Sequence, residues 1–179
     1  MIPARPRYAF IERLTTRLLE EGRVFRPPVP VEALARAQGC KITTSDLKDV
    51  SGILVRTAGA LVIGVNSKHS EVRRRFTIAH ELGHLLLHDG QEVRYDRDFR
   101  ISLRTEASSS GTNIEEIEAN FFAASLLMPD HFLINDSRTS SIELEDAASL
   151  KDLAKCYGVS IQAMTLRLAR LIERRTAQA

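Results

Sequence analysis

Apolar positions at Tyr8, Ile11, Leu14 and Leu18, with Arg and Glu between them, predict a helix from residue 8 to about 21, stopped by Gly22. Arg26-Pro27-Pro28-Val29-Pro30 reads as a stiff connector, and Val31 to Gln38 as a short helix ended by Gly39. Strand character follows in Cys40–Thr44, Gly52–Arg56 and Leu61–Val65, the last two joined through Thr57-Ala58-Gly59-Ala60 as a hairpin. From about Ser70 to His88 the period returns to that of a helix, with Phe76, Ile78, Ala79, Leu82, Leu85 and Leu86 forming a wide apolar face.

Residues 91 to 113 are polar and read as a long connection, a length typical of lids and other functional segments. A second strong helix is expected from a cap at Asn113 or Thr112 to Met128, where Pro129 stops it. Two more helices follow from about Glu143, with Gly158-Val159-Ser160 as the turn between them. Helix, small sheet, two helices and a helical end make the fold class α+β, with residues 1–140 as the main domain and 141–179 as a helical C-terminal segment.

Composition narrows the function classes only a little. A chain of 179 residues, 44% apolar and 27% charged, can bury a core without a disulfide or structural metal. The longest apolar runs fall far short of the roughly 20 residues of a membrane span, so no membrane partner is expected. Cys40 and Cys156 stand apart with no Cys-x-x-Cys, and MIPARPRYAF has no apolar signal core; both point to the cytoplasm. A net charge of +2 neither requires nor excludes nucleic acid.

The chemistry lies in His80-Glu81-Leu82-Gly83-His84. On a helix, positions i and i+4 sit about 40° apart around the axis and about 6 Å along it, so two imidazoles can reach one small cation. Glu81, beside the first histidine, can reach a water on the cation's open position, the arrangement of a zinc hydrolase. A catalytic zinc normally takes a third protein ligand. His88 continues the series but would lie about 12 Å from His80 along the helix, too far for both to bind one ion; it is expected to pack or hydrogen-bond at the helix end. In the longer pattern His-Glu-x-x-His-x-x-Gly-x-x-His, Leu87 and Gly90 stand where Gly and His are needed, which excludes that class.

A carboxylate from the next helix remains, and Glu115-Glu116-Ile117-Glu118-Ala119-Asn120 offers three. Ile114, Ile117, Phe121 and Ala124 define an inward stripe. Glu116 flanks it, with Asn120 one turn on, and the small Ala119 and Ala123 allow close helix approach. Glu115 and Glu118 fall nearer the wet side, an acidic first turn suits the helix dipole, and Glu118 is the rival to Glu116 as ligand. Tyr95, His131 and Tyr157 are oxyanion-stabilising candidates by residue type alone.

These residues carry a resemblance. Phe76 to His88 (FTIAHELGHLLLH) with Glu116 to Pro129 (EIEANFFAASLLMP) closely resembles the ImmA/IrrE family of metallopeptidases, and the likeness extends through the preceding strands and the helical tail. The resemblance implies a zincin-like, gluzincin-type fold and a third ligand at Glu116. His80, His84 and Glu116 would then hold Zn²⁺, or Mn²⁺ or Fe²⁺, which the same donors suit, with Glu81 as general base. It also implies helix-turn-helix repressors as substrates, whose removal switches on mobile-element, phage or stress genes. Many members carry an extra N-terminal DNA-binding domain; this chain has no room for one before its first strand and looks like the stand-alone form.

Leu150 to Leu168 has the rhythm of a helix-turn-helix, so DNA binding is an alternative of another class, favoured by Lys151, Lys155, Arg167, Arg170, Arg174 and Arg175. Its second helix opens Ile161-Gln162-Ala163-Met164, poor in groups that read base edges, so packing on the main domain or gripping a repressor is the expected role. A regulator that sequesters its partner uncut is a third reading.

Overall fold

The computed structural model describes residues 5–89, 92–96, 111–139 and 146–176, with the side chains of 111–113 excluded. In chain order the elements are α1 (Tyr8–Glu21), α2 (Val31–Ala37), β1 (Cys40–Ser45), β2 (Gly52–Thr57), β3 (Ala60–Asn66), α3 (Glu71–Leu87), β4 (Val93–Asp96), α4 (Gly111–Leu127), α5 (Asp130–Asn135), α6 (Ala147–Tyr157) and α7 (Ile161–Thr176). The fold is the expected α+β one, with a four-stranded sheet and a helical end.

The sheet order is β1-β3-β2-β4. β1 runs parallel to β3, while β2 is antiparallel to both β3 and β4. Thr57 pairs with Ala60, so Ala58-Gly59 is the whole hairpin loop. Leu54, Ile63 and Val65 are buried in the same core as Ile78, Ala79 and Leu82 of α3, which packs on β2 and β3. Asn66 closes β3 and donates from Nδ2 to the carbonyls of Lys48 and Val50, which orders the loop entering β2 at Gly52.

α4 packs along α3 on the side away from the sheet and is backed by α1. It is buried almost all round: from Glu118 to Met128 every residue but Asn120 is inside. The expectation that Glu118 lies on the wet side is therefore corrected. Periodicity locates a wet face only when a helix has one, and here Arg7, just before α1, covers the side that the apolar stripe leaves free.

Two elements differ from the sequence reading. β4 forms inside the segment expected as a connection, because a four-residue edge strand owes its ladder to β2 rather than to a pattern of its own. α5 follows Pro129 and is too short, at six residues, to show a period. α4 begins at Gly111, ahead of the expected cap. The rest of that long connection, residues 97–110, and residues 140–145 lie outside those described.

α6 is capped by Asp146, whose carboxylate accepts from the amides of Ala148 and Ser149, and ends at Gly158 in the left-handed conformation. Its turn is tied to α3: Arg75 donates to the carbonyls of Gly158 (3.1 Å) and Val29 (2.8 Å). α7 is tied to the α4–α5 corner, with Arg167 donating to the Met128 carbonyl at 3.1 Å and pairing with Asp130 at 2.9 Å. Arg174 bridges Asp130 and Glu12 of α1. No helix among the described residues is long and apolar enough to cross a membrane.

Candidate active site

The helix that carries the histidines is fixed at both ends. Ser70 caps α3, its Oγ accepting from the Arg73 amide, and Glu71 places an acid in the first turn. At the other end Arg56 of β2 donates to the carbonyls of His84 and His88, placing a cation on the negative end of the helix dipole. His80, Glu81 and His84 between these anchors are essentially inaccessible to solvent.

α4 meets α3 where side chains are smallest. A Cβ on Gly83 would lie 3.2 Å from Ala119 Cα and 3.0 Å from Phe122 Cδ1. This approach brings Glu116, one turn before Ala119, to the imidazole pair. Its two carboxylate oxygens stand 3.4 Å from His80 Nε2 and 3.5 Å from His84 Nε2, and the two Nε2 atoms are 3.0 Å apart. A tetrahedral ion with metal–ligand arms near 2.0–2.1 Å has edges of about 3.3 Å, so the triangle has the size such an ion requires. The structure thus gathers His80, His84 and Glu116 into a group able to hold a metal. Glu118 is not part of it; that carboxylate is bound to Arg7 and His88.

The chemistry of the donors agrees with the geometry. His80 Nδ1 lies 3.1 Å from Asn120 Oδ1, an oxygen that can only accept, so Nδ1 carries the proton and Nε2 keeps its lone pair. Burial pushes the pKa of both His80 and His84 below the ordinary imidazole value, which favours the neutral, ligating form. Without a cation, two lone pairs and a carboxylate would face one another at these distances. Arg94 of β4 partly answers that charge by hydrogen-bonding Glu116.

Glu81 sits beside the group with neither carboxylate oxygen hydrogen-bonded. Burial, reinforced by the nearby Asp96 charge and opposed by His80, pushes its carboxyl up to about 7. That is where a group accepting and returning a proton at neutral pH is most effective. Oxygens of Glu81 and Asp96 and a ring nitrogen of His80 lie within 4.8 Å of one another, a second cluster of donors continuous with the first.

Sequence reasoning missed Arg94 and Asp96. They alternate along β4 and so share a face, a signal readable only once that strand is recognised. The candidates chosen by type fare differently. Tyr95 is exposed on the other face of β4, His131 packs edge-on against Phe132 on α5, and the buried Tyr157 hydroxyl lies 3.5 Å from Asp136. His131 is not among the donor groups around His80.

A sheet laid on a helix with paired histidines, with a glutamate of the neighbouring helix beside them, defines a zincin-like fold with a site able to hold a metal. Residues 35–169 match the family model of the IrrE N-terminal-like domain, Peptidase_M78, and the chain belongs to that family, the ImmA/IrrE type of metallopeptidase. Over 86 residues, 48% of this chain and 49% of the relative, it is 30% identical to the Uncharacterized immunity region protein 2 of Bacillus phage phi105. Among solved structures it resembles a Mycobacterium tuberculosis transcriptional regulator, with a TM-score of 0.59 and 16% identity over 87% of this chain and 45% of that one. The chain spans about half the length of each.

Proposed function

We propose that the protein is a metal-dependent peptidase that cleaves a helix-turn-helix transcriptional repressor and so relieves repression of mobile-element, phage or stress genes. The observation that carries this reading is the convergence of His80 Nε2, His84 Nε2 and the Glu116 carboxylate beside the buried, unpartnered carboxylate of Glu81. His80, His84 and Glu116 are the ligands in this reading, and Zn²⁺ suits them best, with Mn²⁺ and Fe²⁺ also accommodated. Such an ion, when bound, polarises a scissile carbonyl and acidifies water.

The remaining steps fall to the chain itself. Glu81 takes a proton from the water as its oxygen adds to the scissile carbonyl carbon, then delivers that proton to the amine nitrogen as the tetrahedral adduct collapses and the C–N bond breaks. Glu116, its side chain 39% exposed, marks the open side from which a peptide approaches. Asn120 holds the His80 ring in its ligating tautomer.

Support for a repressor as substrate comes from the family and from the names of the relatives, an immunity-region protein and a transcriptional regulator. The DNA-binding alternative loses ground because Arg167 and Arg174, two of the six basic residues that favoured it, are engaged with Asp130 and Glu12. The helical end then serves to pack on the main body or to grip the repressor.

The test pairs the purified protein with any small helix-turn-helix repressor found encoded beside its gene. Fragments should appear with Zn²⁺ and vanish with a chelator. Glu81→Gln should keep the metal and lose cleavage by about 10²- to 10⁴-fold. Stoichiometric metal with an intact repressor under every condition would overturn the reading, and stable co-purification of uncut repressor would replace it with sequestration.

A further inference from the structure

His84 touches the metal group with one ring nitrogen and something quite different with the other. Its Nδ1 lies 3.1 Å from His88 Nδ1, and His88 Nε2 lies 3.0 Å from Glu118 Oε2. Glu118, fully buried, is in turn held by Arg7 through Nε at 2.9 Å, NH2 at 2.6 Å and the backbone amide at 2.7 Å. Arg7 also donates to the Leu87 carbonyl at 2.9 Å, so the same guanidinium spans the end of α3 and the start of α4. The sequence had marked His88 only as a residue at the helix end that could not reach a metal shared with His80.

We infer that His88 and Glu118 are positioning residues that set the tautomer of His84 and present its Nε2 lone pair to the metal. The inference rests on the metallopeptidase reading: with an ion between the two Nε2 atoms, 3.0 Å apart, neither carries a proton, and the other protons follow from the contacts. A carboxylate can only accept, so His88 Nε2 must donate. A neutral His88 that donates from Nε2 has its Nδ1 left to accept. One proton must lie between the two Nδ1 atoms, and it therefore belongs to His84. A single proton on Nδ1 leaves His84 Nε2 with the lone pair that a metal needs. The reverse order, with His88 donating, would place a hydrogen on His84 Nε2 and block the site. Glu118 thereby acts on a ligand of the neighbouring helix through an intervening imidazole, extending the usual carboxylate–histidine support of metal sites by one ring.

Two variants and two readouts test this. Glu118→Gln keeps shape, but Arg7 claims the amide oxygen and turns the NH₂ group toward His88 Nε2, which reverses the order of donors. His88→Phe keeps a buried ring and leaves Glu118 paired with Arg7, so it decides the matter if the first variant fails to fold. Nitrogen-15 NMR of the Zn²⁺-loaded protein should show His88 as the Nε2–H tautomer in wild type and a shift toward Nδ1–H in Glu118→Gln. Zn²⁺ competition against a chromophoric chelator should show affinity lowered about 10- to 100-fold in either variant, with an altered Co²⁺ absorption spectrum. Cooperative melting of the metal-free variants serves as the folding control.

Folded variants that bind Zn²⁺ within twofold of wild type, or a wild-type His88 carrying its proton on Nδ1, would overturn the inference. A wild type with no affinity for Zn²⁺ would overturn the metallopeptidase reading itself, so the two failures are distinguishable.

Discussion

Gly52 stands against the carboxylate of Glu81 so closely that a Cβ at position 52 would lie 2.7 Å from Glu81 Oε1 and 2.5 Å from Thr77 Cγ2. The first residue of β2 thus defines how much room the proposed base has. Gly52→Ala should displace Glu81 while leaving His80, His84 and Glu116 in place. Peptidase activity is expected to fall at least about tenfold, with a stability loss of about 1–3 kcal/mol from overpacking and unchanged metal stoichiometry. Turnover assays beside elemental analysis check this, and wild-type turnover in the variant would remove Gly52 from the account.

Gly83 should behave in the opposite way. Its missing Cβ faces Ala119 Cα and the Phe122 side chain, so Gly83→Ala wedges α3 from α4 rather than pushing on Glu81. Because the ligands lie on these two helices, metal affinity should drop together with stability, the latter by about 1–3 kcal/mol. Zn²⁺ titration and thermal melts of the metal-free protein separate the two effects. A variant that loses activity at full metal affinity would contradict the assignment of this contact.

The contrast between these glycines shows why the site was only partly legible. His80 and His84 could be paired from spacing alone, since the geometry of one helical turn is local. Glu116 required a judgement about which side of a second helix faces the first, and the small residues at Ala119 and Gly83 make that approach physically sensible. Glu118 was misplaced because amphipathic reasoning presumes a solvated face, and α4 hides its own behind Arg7. Asp96, Arg94 and the role of Gly52 were out of reach, because they depend on a four-residue edge strand and a sheet register that pairs Gly52 with both Val65 and Asp96. The helical end was legible as two helices and a turn. Its attachment through Arg75, Arg167 and Arg174 was not, since a basic residue on a helix looks the same in sequence whether it faces solvent or a carbonyl or carboxylate of a neighbouring element.

Arg167 gives that attachment a number. Its side chain is only 3% exposed, pairs with Asp130, donates to Met128 and lies over the Phe121 ring. Removing one member of a fully buried ion pair costs about 3–5 kcal/mol; Asp130 is 28% exposed and keeps Arg174 here, so Arg167→Ala should destabilise by less, about 2 kcal/mol. Lys151→Ala, at an exposed position of α6, should be nearly neutral. Denaturant melts of the two variants check the difference, and equal midpoints would mean that α7 is not held through this arginine.

Acid should loosen the same end of the molecule through Asp136. Hydrogen bonds from Arg138, at 2.8 and 2.6 Å, hold its carboxyl below the ordinary aspartate value, and the buried Tyr157 hydroxyl lies 3.5 Å away. A depressed pKa in the folded state means that the unfolded chain binds the proton more readily. The contribution of Asp136 is therefore fully present above the ordinary aspartate value near 4 and is lost as pH falls from there through the lower folded value. Asp136→Asn removes the charge at every pH. Wild type should accordingly melt higher than the variant at pH 6, by an amount equivalent to about 1–2 kcal/mol for hydrogen bonds to a charged group. The gap should narrow below pH 4. Parallel thermal melts from pH 6 to pH 3 provide the measurement, and a gap that stays constant across that range would show that the Asp136 charge does not stabilise the junction between α5 and α6.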